Sequence, residues 1–355
     1  MSLRGNRGEW SEVYVLLRTL AEGQLQVSDH KLDAVEGSVL HVAEIIRQHP
    51  DCAYHYTINA DDVVVSVVPD GSVLESIQRA EIAELADVAL IAIRRGGFSF
   101  DIPELETLLA KLRVTELKLT GSKKGDIDIR IHDLSTASTF AAAYSIKSQL
   151  GSPSTLLNAS GATNFEYEIV GDGDPETLTG LKHLKGKTLV QQLYANGFKL
   201  KYVGMCNVTF EDNLRMIDGQ MPVIAATLLR LHYEGRGARV AEVLEALIEE
   251  DPCGYGKSSE LQYRHKVKTL LHVVALGMTP AREWDGSLIA GGGYVVVKEL
   301  GQLVCFPSAR VDAFRDHLLD NTKFERASTK RHRYGRLFEH EGTTRIRLNL
   351  QVRSV

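Results

Sequence analysis

From Asp126 to His132 the chain alternates without a slip, with Asp126, Asp128, Arg130 and His132 set between Ile127, Ile129 and Ile131. Side chains of a β-strand point to opposite faces in turn, so this spacing predicts a strand with one buried and one polar face. After a polar, turn-like stretch at 132–138, Phe140 to Leu150 (FAAAYSIKSQL) reads as the returning strand of a hairpin. On it Ser145, Lys147 and Gln149 share one face, and Ile146 and Leu150 take the other. Asp126 and Asp128 then lie side by side, and neighbouring carboxylates repel unless a cation or another partner offsets them.

Carboxylates, a lysine and neutral oxygen groups on one edge fit metal-assisted phosphodiester hydrolysis. Mg²⁺ takes hard oxygen ligands, usually one or two carboxylates plus water and phosphate oxygens. A lysine beside it orients or deprotonates the attacking water and offsets developing charge. The plainer reading is a half-exposed strand with a polar outer face and an ordinary surface lysine.

Around this hairpin the periodicities predict an α/β chain. Apolar stripes place helices over Glu9 to Glu22, Val39 to Gln48 and about Ser76 to Leu85, with another starting at Asp101-Ile-Pro-Glu. Apolar or alternating runs place strands over Val63 to Val68, Val88 to Ile93, Glu116 to Thr120 and Phe165 to Val170. Long helical patterns follow over Gly219 to Glu234, Ala238 to Glu250 and Ser258 to Leu276. Beyond Gly291-Gly292-Gly293 come strands over Tyr294 to Lys298 and Leu303 to Phe306, then a helix near Arg310 to Leu319. The expected architecture is a mixed central sheet in residues 1–172, a helical region over 173–280 and a β-rich basic segment over 281–355. Turn-forming stretches near 171–176 and 281–293 mark the boundaries.

Charge is distributed unevenly. Residues 323–353 hold nine Lys/Arg and three Asp/Glu, a local +6 in a chain of net −5, which leaves −11 elsewhere. That asymmetry suggests a segment facing a polyanion. In the tail, Ile346, Leu348, Leu350 and Val352 make an apolar face, and Arg345, Arg347, Asn349, Gln351 and Arg353 the opposite one. Arginine pairs with guanine edges and Asn or Gln with adenine, so this row suits base edges or phosphates. Lys330, Arg331, Arg333 and Arg336 just before it suit phosphates. The stretch after Lys147 carries Ser152, Ser154, Thr155, Asn158, Ser160, Thr163 and Asn164, hydroxyls and amides of the kind that position a phosphate backbone. Ser122 and Lys124, just upstream of the hairpin, are counted with these contacts. A polar loop and a solvated strand face are the bland alternatives.

Several motifs fail. Five residues, not four, separate the glycines of GLKHLKGKT, so it is no P-loop, and GGGYVVVK runs into a strand and reads as a tight turn. The twelve histidines show no HExxH spacing. The four cysteines form no CxxC and read as reduced thiols of a cytoplasmic protein. No apolar run approaches the roughly 20 residues of a membrane span, and the N-terminus lacks a signal-peptide core.

An aspartate on one strand followed about twenty residues later by x-x-Lys resembles the PD-(D/E)XK nuclease core. More specifically, four stretches resemble the HpaII-type restriction endonucleases: RGEWSEVYVLLRTLAEG, SIKSQLGSPSTLLNASGATNF, WDGSLIAGGGYVVVK and TKFERASTKRHRYGRLF…RIRLNLQV, which span the chain in order. The resemblance implies a Mg²⁺-dependent type II endonuclease acting on double-stranded DNA at a short site of the CCGG kind. Asp126 would bind the metal and Lys147 would be the motif lysine. The acidic residue expected two positions before the lysine is Ser145. Gln149 is the first candidate to replace it, with Asp128, Glu9 or Glu12 as alternatives. A palindromic site invites a homodimer, and the resemblance implies functional pairing with a DNA methyltransferase. Ser145 also keeps open a sequence-specific DNA-binding protein with a degenerate nuclease site, and the glycine turns a small-molecule α/β enzyme.

Overall fold

The computed structural model describes residues 3–118, 125–133, 138–151, 153–288, 290–326 and 334–355. Within them the chain is a mixed α/β protein packed as two units. The first comprises residues 1–154 and 288–314, the second 155–287 and 315–355. This partition runs across the three consecutive segments expected from composition. The strands Gly293–Val297 and Leu303–Pro307 pair back into the first unit, and the tail strands pair into the second.

The first unit is built on a nine-stranded sheet. Its order is Gln24–Ser28, Leu303–Pro307, Gly293–Val297, Ser138–Ser148, Ile127–Asp133, Ala34–Gln48, Ala53–Ile58, Asp62–Val68 and Val73–Gln78. Gly293–Val297 runs parallel to Ser138–Ser148, and Leu303–Pro307 parallel to Gln24–Ser28; the other pairings are antiparallel. Gln24–Ser28 also pairs with Ala34–Gln48, so six of the strands close a ring. The first helix, Arg7–Glu22, packs into the resulting core and buries Trp10, Val13, Tyr14, Val15, Leu16, Leu17 and Leu20. Asn6 caps it by accepting from the Gly8 and Glu9 amides, while Glu9 Oε2 accepts from the Asn6 amide at 2.8 Å. Gly23, at φ 65°, ends it in the left-handed conformation.

Two expected elements changed type. The Val39 to Gln48 stretch, expected as a helix, belongs to the long strand Ala34–Gln48. Val39, Val42 and Ile46 mimic helical spacing, but cross-strand partners on both edges hold the stretch extended. Val88 to Ile93, expected as a strand, lies in the helix Arg79–Arg95, where Ile82, Ala86, Ala89 and Ile93 bury one stripe at three- to four-residue spacing. Ser76, expected at a helix start, sits in the strand Val73–Gln78. Asp101-Ile-Pro-Glu opens only a short 3₁₀ turn, Pro103–Leu105, and the helix Glu106–Lys111. No strand forms over 116–118, and 119–120 lie outside the described residues.

The triple glycine is a tight entry to the sheet, as read. Gly293 has φ 129°, and a Cβ there would meet the Phe306 carbonyl oxygen at 2.0 Å, so only glycine lets these two strands approach.

The second unit carries a four-stranded antiparallel sheet in the order Phe198–Met205, Asn164–Gly171, Thr343–Asn349, Leu337–His340. A three-stranded sheet of Thr155–Leu157, Val352–Ser354 and Thr322–Phe324 accompanies it. Phe165, Tyr167, Ile346 and Leu348 are buried on one face of the larger sheet. The helices Met221–Glu234, Val240–Glu250 and Ser259–Ala275 supply about half of the unit's apolar core, close to the spans expected.

Candidate active site

The hairpin forms as the alternation predicts. Ile127 lies opposite Tyr144, Asp128 opposite Ala143 and Ile129 opposite Ala142. Ile127, Ile129, Ile131, Tyr144, Ile146 and Leu150 enter the core, which turns Asp126, Asp128, Ser145 and Lys147 to the other face. Asp126 lies just before its strand, and its amide donates to the Tyr144 carbonyl at 3.0 Å. Its carboxylate is held by the partner strand: Oδ2 accepts from Ser145 Oγ at 3.1 Å and from the Ile146 amide at 2.7 Å. Among the described residues no hydrogen bond reaches Asp126 Oδ1. Lys147 is half-buried, with Nζ 6.0 Å from the centre of the Tyr294 ring.

Tyr294, on Gly293–Val297, lies opposite Ser145 in register and is buried against Phe314, ring centres 4.6 Å apart. Burial, and then the negative charge of Asp126, push its phenol well above the ordinary value, so it stays neutral. Reading GGGYVVVK only as a turn missed this residue. The available signal was a tyrosine at the head of an all-valine run, a polar tip placed where a strand begins.

The like charges of Asp126 and Asp128 are thus handled separately. Asp126 is anchored by Ser145 and the Ile146 amide. Asp128 is buried, has interactions of its own and lies between Ala143 and Ile46. On the same face Glu44, opposite Arg130, pairs with Arg130 Nη1 at 2.8 Å and His55 Nδ1 at 3.0 Å.

The ligand expected from Gln149 needs correction. Asp126 stands beside Ser145, and Gln149 is exposed four residues farther on, about 13 Å along the strand. That separation exceeds what two side chains sharing one ion span. Glu9 is engaged at the helix cap, and Glu12 lies within electrostatic reach of buried Arg47. Asp128 is the carboxylate nearest Asp126 along the strand. Among the described residues no three His, Cys, Asp or Glu side chains converge on a metal-sized point. The oxygens of Asp126, Asp128 and Ser145 nonetheless suit a hard cation that keeps most of its water, as Mg²⁺ does.

The residues assigned to DNA divide sharply. Asn349 is fully buried, and its Nδ2 donates to the Ser160 carbonyl and Asn164 Oδ1 at 2.7 Å each and lies 3.1 Å from Thr163 Oγ1. Thr163 and Asn164 are buried too, and Ser160 caps the turn Gly161–Thr163. This correction has a simple cause. The alternation that put Asn349 on the arginine face ends where the tail strand meets the 160–164 turn, and unfilled backbone acceptors there demand an internal donor. Arg345 and Arg347 do leave the sheet together, but they meet Glu166 at 2.9 and 3.2 Å. Sequence reasoning missed Glu166, although NFEYEIV alternates as clearly as the hairpin does. Asn158 and Arg336 are exposed, and Ser154 and Gln351 half-buried. Ser122, Lys124, Ser152, Lys330, Arg331 and Arg333 lie outside the described residues.

The family model described as "HpaII restriction endonuclease" matches residues 6–354. "Type II restriction enzyme HpaII" of Haemophilus parainfluenzae is 36% identical over 360 residues, covering 98% of each chain. No solved structure matches.

Proposed function

The chain belongs to the HpaII restriction endonuclease family, and on that premise we propose that it hydrolyses double-stranded DNA at a short specific site of the CCGG kind, using Mg²⁺ and a PD-(D/E)XK-like core. The observation that carries this reading is Asp126, fixed by Ser145 and the Ile146 amide on the sheet face that also presents Lys147.

Asp126 would hold the metal, and Asp128 is the carboxylate best placed to help. When bound, the ion supplies Lewis acidity toward the phosphate and lowers the pKa of a coordinated water. Lys147 orients the attacking water and offsets charge that builds on the phosphate. Ser145 keeps Asp126 in one rotamer, a positioning task, where the motif's usual acid would add a second charge. Tyr294 packs beneath both groups and keeps water from one side of them. In the second unit Arg345, Arg347 and Arg336 are the DNA contacts, with Asn158 and Gln351 as further ones, and Ser154 is a contact of the first unit. The enzyme acts in the cytoplasm beside a methyltransferase that protects the same site, and a two-fold dimer serves a palindrome. Among the described residues no helix is long and apolar enough to cross a membrane.

The test is plasmid DNA incubated with wild type or Lys147→Ala, in Mg²⁺ or EDTA. Discrete fragments in Mg²⁺ alone, lost in the variant, are expected. Salt-sensitive duplex binding without cleavage would leave a DNA-binding protein, with Ser145 marking a lapsed site. Absence of both would refute any nucleic-acid role.

A further inference from the structure

On the outer face of the four-stranded sheet one carboxylate serves two guanidinium groups. Glu166 Oε1 accepts from Arg345 Nη1 at 2.9 Å, and Oε2 accepts from Arg347 Nε at 3.2 Å. The arginines occupy alternate positions of Thr343–Asn349, Arg347 opposite Glu166 and Arg345 opposite Glu168. Arg345 Nε also donates to Thr343 Oγ1 at 3.1 Å. The Arg347 guanidinium carbon lies 4.4 Å from the centre of the Phe338 ring. Burial alone would raise the Glu166 carboxyl, but the two arginines outweigh it and hold the group below its usual range, so it is charged at neutral pH. Exposed Lys199 and Lys201 on the neighbouring strand keep the face net positive despite Glu166 and Glu168.

Tying the sheet together would need only one of these arginines. Each guanidinium has five N–H donors in a rigid plane and spends only part of them here. A carboxylate at one side and an aromatic ring beneath fix that plane before any partner arrives, which lowers the entropy cost of binding. The matching partner is a guanine edge, whose O6 and N7 accept two parallel N–H bonds in the major groove. Loose arginines on such a face would settle on phosphates, which carry no sequence information.

We infer that Glu166 is a specificity-positioning residue, holding Arg345 and Arg347 as a pre-oriented pair for guanine edges of duplex DNA and keeping them off the phosphates. This rests on the DNA-cleavage reading above.

The experiment measures binding of wild type, Glu166→Gln and Arg347→Lys to two short duplexes in EDTA across a salt series, one carrying CCGG and one with AATT in its place. Glu166→Gln is expected to bind the CCGG duplex about tenfold or more weaker. Its affinity for the other duplex rises severalfold, and the slope of log affinity against log salt steepens by about one as a freed arginine takes a phosphate. Arg347→Lys keeps the charge and loses only the CCGG preference. If wild type discriminates and both variants discriminate equally well with the same salt slope, the inference is wrong. Equal losses on both duplexes would make Glu166 a structural tie and also overturn it. A wild type that does not discriminate, yet cuts plasmid at another sequence, overturns the guanine assignment but spares the nuclease reading. Neither cleavage nor duplex binding overturns both.

Discussion

Replacing Asn349 by alanine separates a structural amide from a base-reading one. The side chain is fully buried, and its Nδ2 serves the Ser160 carbonyl and Asn164 Oδ1 at 2.7 Å, with Thr163 Oγ1 at 3.1 Å. Nδ2 has two N–H groups, so the two short contacts carry most of the bonding. Alanine removes a buried donor shared by the strand and the turn, although the Ser160 carbonyl still accepts from the Thr163 amide and hydroxyl, so the second unit should lose about 2 kcal/mol. With a urea m-value of about 2–3 kcal/mol/M, its midpoint falls by about 0.8 M. The chain has two tryptophans, and Trp284 lies in this unit, so its fluorescence in a Trp10→Phe background follows the transition. Asn349→Asp should be worse at neutral pH, because a carboxylate would face acceptors. An unchanged midpoint together with lost sequence discrimination would refute this account and return Asn349 to the DNA.

Ser145→Ala removes one charge-assisted bond from Asp126 and should slow cleavage roughly tenfold or more, with a higher Mg²⁺ requirement in a metal titration. His272 is buried and held down to about 4, by burial first and Arg315 second. Its folded pKa lies below the unfolded one, so the unfolded chain binds more protons between about pH 6.5 and 4, and stability falls as pH drops through that window. The ceiling is on the order of 3 kcal/mol. His272→Phe should flatten that part of a urea midpoint against pH curve, and an unaltered curve would exclude this histidine as its source. Gly293→Ala places a Cβ 2.0 Å from the Phe306 carbonyl oxygen at φ 129°, and should cost more than about 2 kcal/mol or abolish soluble expression. A variant that melts like wild type would refute the close approach.

The hairpin was legible because Ile127, Ile129 and Ile131 state a period of two with no competing signal. The face assignments of Ser145 and Lys147 followed from it. Ala34–Gln48 and Arg79–Arg95 were not legible, because short apolar runs look alike until a partner arrives, and those partners are distant in sequence. The arginine face could be read from alternation, but its counter-ion could not. Arg347 meets Glu166 only through a cross-strand register between segments at opposite ends of the second unit. Asn349 shows the same limit, since nothing near it announces the turn at 160–164 that consumes its amide. Gln149 was misjudged for a different reason. Facing the same way is not proximity, and Asp126 pairs at Ser145, four residues before it.

Gly293–Val297 covers the edge of the lysine strand, yet it follows that strand by nearly half the chain. During synthesis the edge beside Lys147 stays bare for on the order of ten seconds. Until then Tyr294 is not beside Ser145, and the sheet ring is open. A nascent or truncated chain therefore holds the proposed centre incomplete. Late closure of the sheet is a built-in delay, in which that centre is assembled only after most of the second unit has been made.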